Sequence, residues 1–315
     1  MRLKKIEMFI CYSYSMWLTN GYSHNYVSTK VVGGIGNQLF CYFAGLSLAR
    51  RLNYNFVIDI SDIRNGKSAH SGSIEELLLP GNFIATSGNP TINFVKRLLA
   101  YILKRFPNRF QSKHTYYSNV IGYDPKLENV KSHIKLNGYF QTYRYFQEVS
   151  PEILPLKLKT RSEWFISTLE ELNKSDFISL HIRRGDYSKF SDTYGLLGTN
   201  YYKQALEILK KKSISGRLVV FSDDLIEAKR ILNGVVDENT YWVDPPATSS
   251  PVESLILMSH ASSNIIANST YSWWGAAINS KKHLVIAPAK WFKTMEDPQE
   301  LYPPQWILID SCWES

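Results

Sequence analysis

Residues 177–187 read FISLHIRRGDY, and the fold turns on them. Phe177 to Ile182 is short, apolar and β-branched, as a buried strand is. Successive strand residues face opposite sides, so Ile178, Leu180 and Ile182 share one face and Ser179, His181 and Arg183 the other. An imidazole and a guanidinium therefore reach one face just where the strand ends. Gly185 lets the chain turn there, and Asp186 can orient a neighbouring arginine. Open α/β sheets bind ligands at the carboxyl ends of their strands. A cationic cluster at such an end suits a phosphate or diphosphate. For an isolated RRxD the competing reading is a strand-end ion-pair network.

Downstream, strands are expected at 217–221, 240–243, 264–267 and 283–287, separated by helices at 201–211, 225–232, 251–259 and 271–279. That alternation predicts a parallel sheet with right-handed crossovers. The polar groups His181 and Arg183, Ser222 and Asp223, and Asn268, Ser269 and Thr270 all fall at carboxyl ends of strands, so they should converge on one crevice. In NSTYSWW, residues 268–274, a helix start offers free N–H groups to an anion. An ordinary Ser/Thr cap above a buried Trp273–Trp274 pair explains it as well. Asp223 could accept from a guanine base, or cap the next helix. A divalent-cation role for SDD is rejected, because no partner carboxylate stands at a suitable spacing.

Upstream, a strand at 30–32 enters GGIGNQLF, residues 33–40. Gly33, Gly34 and Gly36 make a tight loop, and Asn37 and Gln38 open a helix whose Leu39, Phe43 and Leu46 share a face. Such a strand–loop–helix lets backbone N–H groups approach a diphosphate. The dinucleotide fingerprint fails, because Leu39 stands where its third glycine belongs, and no Lys-Ser/Thr follows to make a P-loop. A strand at 55–60 brings Asp59 and Asp62 to its end, where loop chemistry is the plain reading. Residues 92–106 form an amphipathic helix with a basic face, either a core helix or a membrane-surface one. In 133–146 the side chains Tyr139, Gln141 and Tyr145 could meet a sugar or pack at a domain junction. Pro151 and Pro155 bracket a linker, and a helix at 162–173 follows it.

The 315 residues suffice for two domains. The net charge of +8 is spread out with no long Lys/Arg run, which argues against nucleic acid. Cys11, Cys41 and Cys312 are odd in number and far apart, which gives neither a disulfide framework nor zinc spacing and suits a reducing compartment. Residues 1–29 read as an extension. Its semi-apolar run, 6–18, is shorter than the roughly 20 residues that span a bilayer.

GGIGNQLF, HIRRGD, VFSDD and NSTYSWW, in this order and spacing, with GYFQ at 138–141, resemble the motif set of the α-1,2-fucosyltransferases of glycosyltransferase family 11. The resemblance covers about Val31 to Ala287. Two departures are a tryptophan missing after SDD, where Leu225-Ile226 stands, and a cysteine missing before the NST strand.

The resemblance implies a GT-B fold, with two Rossmann-like domains facing across a cleft. Residues 30–155 would form the acceptor side and 156–290 the GDP-fucose side, with 291–315 crossing back to the first domain. The implied reaction moves L-fucose from GDP-β-L-fucose to the 2-hydroxyl of a terminal galactose in a surface oligosaccharide, with inversion and without a metal or other cofactor. Arg183 and Asn37 would be catalytic. Gly34, Gly36, Asn37, Gln38, His181, Arg183, Ser222, Asp223, Asn268, Ser269, Thr270 and Ser272 would hold the donor, with Arg184 structural through Asp186. On the acceptor side the candidates are Asp59, Asp62, Tyr139, Gln141 and Glu148. The general base is Asp59, Asp62, Glu148 or the departing phosphate. The expected location is cytoplasmic and peripheral to the inner membrane, through the basic helix at 92–106.

Overall fold

The computed structural model describes residues 25–66, 72–85, 114–279 and 284–314. The helix expected at 92–106, and with it the membrane-contact expectation, lies outside the described residues. So does most of the 1–29 extension.

The first sheet is built from β1 (Tyr26–Lys30), β2 (Asn55–Asp59), β3 (Asn82–Ile84), β4 (Thr115–Tyr117) and β5 (Ile134–Asn137). All are parallel, in the order β3-β2-β1-β5-β4. β1 starts earlier than expected, inside the residues assigned to the extension. The second sheet contains β6 (Phe177–Ile182), β7 (Arg217–Ser222), β8 (Tyr241–Trp242), β9 (Ser263–Ile265), β10 (Leu284–Pro288) and β11 (Ile307–Ile309). It too is parallel, in the order β11-β10-β9-β6-β7-β8. Each sheet reverses its strand order once, between β1 and β5 in the first and between β6 and β9 in the second. Ligands bind at such switch points. Two parallel α/β sheets of this kind make the GT-B fold.

Strand β6 alternates as its sequence demands. Ile178, Leu180 and Ile182 pack with Tyr201, Tyr202 and Val220 on the outer face, while Phe177, Val219 and Phe221 face a core that continues into the first sheet's lobe. That shared core is aromatic. Helix Ile35–Leu52 lays Phe40 against Trp273 at 4.6 Å and stacks Phe43 on Trp274 at 4.9 Å. From helix Tyr143–Ile153, Phe146 meets Trp274 edge-on at 5.0 Å. Each such pair adds about 1 kcal/mol beyond its buried area.

Helix Tyr143–Ile153 runs through Pro151 where a linker was expected, with Thr142 as its cap. The proline costs the helix one backbone bond in its last turn, and the helix ends two residues later at Ile153. Residues 291–314 touch the first lobe at Gln299 and Glu300, which accept backbone bonds from Tyr123 and Tyr143. The chain then returns to the second sheet as β11. Among the described residues, no helix is long and apolar enough to cross a membrane.

Candidate active site

The two switch points meet. After β1, Gly34 begins helix Ile35–Leu52 with no side chain capping its first N–H groups. After β9, Ser269 caps helix Thr270–Ala277 through the Tyr271 N–H. The two helix starts touch at Gly36. A Cβ there would stand 2.5 Å from the Thr270 carbonyl carbon, so only glycine fits. Two helix starts thus meet where the lobes join, and the positive end of a helix favours an anion.

Arg183 supplies the charge from β6. Its guanidinium bonds Asp223 at 2.8 Å and Asp186, and lies over the Tyr187 ring at 5.2 Å. Its Nε is buried without a partner. Asp223 also accepts from the Arg184 backbone N–H at 2.8 Å. Both oxygens of Asp223 are therefore engaged by the arginine pair. The adjacent Asp224 caps the next helix, and Ser222 bonds the Asp224 backbone.

Arg184 is structural, but not through Asp186. It is 2% exposed, donates to the Leu197 carbonyl at 2.7 Å and pairs with Glu314 at 3.3 Å. Its side chain leaves the strand opposite to that of Arg183, away from Asp186. His181, 3% exposed, lies 5.6 Å from the Tyr271 ring. Burial, aided by Arg183, pushes its imidazole down to about 3, so it is neutral at physiological pH. Its Nδ1 has no partner.

On the first lobe, Gln141 donates from Nε2 to Asn37 Oδ1 at 3.0 Å, joining the loops after β1 and β5 across that sheet's switch point. Gln141 Oε1 is buried and unpartnered. Tyr139 in the same loop is 46% exposed. Gln38 is fully buried and turned away, spending its amide on Gly33, Gly72 and Ile74. Asn268 is likewise spent on the Tyr194, Gly195 and Trp291 carbonyls. Ser272 bonds within its own turn. Of the expected donor residues, Gly34, Gly36 and Asn37 lie at one helix start and Ser269 and Thr270 at the other, with Gly36 against Thr270, while Arg183 ends the neighbouring strand β6.

The acceptor-side carboxylates separate. Burial pushes the Asp59 carboxyl up, but Lys135 at 2.6 Å and two bonds from Ser61 outweigh this and hold it below the ordinary range. Asp62 pairs with Lys30 at 2.6 Å beside the β1 loop. Glu148 bonds Ser47, three turns along the helix from Gly36 and about 16 Å from the crevice. Tyr187, Tyr271 and Glu314 were not singled out from sequence. The two tyrosines lay inside quoted motifs, whereas nothing local marks Glu314.

The profile of the glycosyl transferase family 11 matches residues 72–310. The O-antigen biosynthesis glycosyltransferase WbnK of Escherichia coli is 31% identical over 305 residues, 88% of this chain and 98% of its own length. An alpha-1,2-colitosyltransferase of the same organism is 28% identical over 314 residues, 90% of this chain and 99% of its own. Among solved structures, fucosyltransferase NodZ from Bradyrhizobium aligns with a TM-score of 0.47 at 13% identity, covering 80% of this chain and 92% of its own. With GGIGNQLF and NSTYSWW meeting at the Gly36–Thr270 contact and HIRRGD beside them, the matched profile settles the kinship: this chain is a glycosyltransferase and belongs to glycosyl transferase family 11.

Proposed function

We propose that the chain transfers L-fucose from GDP-β-L-fucose to the 2-hydroxyl of a terminal galactose in a surface oligosaccharide, inverting the fucose carbon. The observation that carries this reading is the junction of two helix starts at Gly36 and Thr270, with Arg183 at the end of β6, the strand that pairs with β9. As the glycosidic bond breaks, the pair of electrons leaves with the GDP oxygen, and negative charge grows on the β-phosphate. Both helix ends and Arg183 stabilise that charge. A preorganised donor of this kind is worth about 3 kcal/mol.

Arg183 is held by two carboxylates, and Asp186 is the more exposed of them. The diphosphate displaces Asp186, while Asp223 keeps the guanidinium aimed. Asn37, oriented by Gln141, contacts the sugar–diphosphate junction. The acceptor hydroxyl attacks from the first lobe, where Asp62 pairs with Lys30 at the end of β1. Its proton goes to Asp62 or to the departing phosphate. Asp59 is a poor base, because its pairing with Lys135 lowers its basicity.

A second reading changes only the donor sugar. The relative named as a colitosyltransferase supports GDP-colitose, which lacks one hydroxyl of fucose.

The test is GDP release in the presence of EDTA from GDP-fucose and from GDP-colitose, with lactose and N-acetyllactosamine as acceptors. Acceptor-dependent release from GDP-fucose, and a product shown by NMR to be α-1,2-linked to galactose, is the expected result. Preference for GDP-colitose selects the second reading. Donor binding without release leaves a non-catalytic sugar-nucleotide binder, and loss of turnover in EDTA removes metal independence.

A further inference from the structure

β4 is an edge strand of the first sheet. The loop after it, 118–124, encloses a cavity of about 400 Å³ whose walls include Tyr116, Tyr117, Asn119, Tyr123 and Gln299. The walls are held in place. Tyr116 donates to the Asp124 carboxylate at 2.6 Å, and Asp124 is itself buried with Tyr145 on its backbone. The Tyr123 ring rests on the Arg144 guanidinium at 4.8 Å, and its hydroxyl bonds Glu128. Gly122 packs so closely on the Gln299 backbone that a Cβ there would stand 2.3 Å from its nitrogen. Tyr117 is left 56% exposed at the mouth.

The chemistry of this lining is neutral. Its charged residues are Asp124 and Lys126, one of each sign, and Asp124 is occupied by Tyr116 and Ser118. Phenol faces with the amides of Asn119 and Gln299 suit an uncharged polyol with an apolar face, such as a pyranose ring, and do not suit a phosphate. The place is also telling. Tyr117 pairs in register with Asn137 at the end of β5, and β4 lies two strands from β1. Strand spacing puts the mouth roughly 10 Å from the β1 loop. A chain of bonds joins the two places: Gln141 donates its backbone N–H to the Ile121 carbonyl at 2.7 Å and its side chain to Asn37 at 3.0 Å.

We propose that this cavity seats a neutral sugar unit of the acceptor glycan beyond the one that receives the transferred sugar. The inference rests on the acceptor side of the reading above. Walls already fixed before the glycan arrives lower the cost of ordering it.

The test uses Tyr117→Ala and Asn119→Ala, whose side chains are exposed and whose loss leaves the core intact. Saturation-transfer NMR on the GDP-loaded protein, with lacto-N-tetraose and with lactose, reports which sugars touch it. In the unaltered protein the inner sugars of the tetrasaccharide should receive saturation. In both variants they should lose it while the terminal galactose keeps it. Alongside, KM for the tetrasaccharide should rise about tenfold, with KM for lactose and for the donor unchanged. Equal saturation in variants and unaltered protein, or none on the inner sugars, overturns the proposal. Failure of the donor reading shows separately, as an absence of GDP release from GDP-fucose, and leaves the NMR comparison intact.

Discussion

Arg183 sits between two carboxylates over a tyrosine ring, and that geometry makes it hard to replace. Arg183→Ala should lower kcat by a hundredfold or more, about 3 kcal/mol of transition-state stabilisation. Arg183→Lys should recover little of it, because an ammonium cannot span Asp223 and the ring together. Gln141 offers a cleaner separation of roles. Gln141→Leu removes the bond that aims Asn37 and also removes a buried oxygen with no partner. We expect kcat to fall about tenfold while donor KM and melting temperature hold. His181 sets a pH dependence. Its folded value, about 3, lies below the ordinary 6.5, so the unfolded chain binds the extra proton first. Stability should therefore be full above pH 6.5 and decline as pH falls toward 3, by about 2 kcal/mol at pH 5 for this group alone. Denaturant titrations of the unaltered protein and His181→Phe at pH 7 and 5 check this, with a flatter profile expected for the variant. Asp59 acts in a lower window, adding stability that is lost only as pH falls below 3.8.

Among the elements, the two helix starts depend on one missing side chain. Gly36→Ala should push helix Thr270–Ala277 away from helix Ile35–Leu52, destabilising the fold by about 2 kcal/mol and weakening GDP binding together with it. Calorimetry with and without GDP reads both effects. Two strands beside this junction were legible because each is a short apolar run ending in turn residues, FISLHI before Arg183 and the run before NSTYSWW, whereas β1 was expected at 30–32 and lies at Tyr26–Lys30. The edge strands β3, β4 and β11 were not, since three residues carry no period of their own and pair only because a neighbour is already in place. Helix Tyr143–Ile153 was hidden by Pro151, which reads as a break until its place in the last turn is known. At the site, motif residues meet at the Gly36–Thr270 contact, but which of them spend their side chains elsewhere depended on partners far away in the chain. Gln38 and Asn268 look as polar as Asn37 and Thr270, yet their amides are consumed by backbone that only the fold brings near.

At the scale of the whole molecule, distant parts of the chain finish the strand-end cluster. Glu314 crosses to pair with Arg184 and Arg230, and its backbone N–H bonds the Leu196 carbonyl at 2.7 Å. Glu314→Ala should leave a buried guanidinium without its counter-charge and cost about 3 kcal/mol, read as a lower denaturant midpoint, with Glu314→Gln losing less. The lobes are bound still more tightly by Phe40, Phe43 and Phe146 interlocked with Trp273 and Trp274. That seam bears on anyone who would breed new donor preferences from this family. Halves of two relatives cannot be traded as cassettes, because a hybrid must match ring shapes on both sides and keep a bare hydrogen at residue 36. What can be transplanted is smaller: the turns that follow the strands, set into a frame whose aromatic joint stays with one parent.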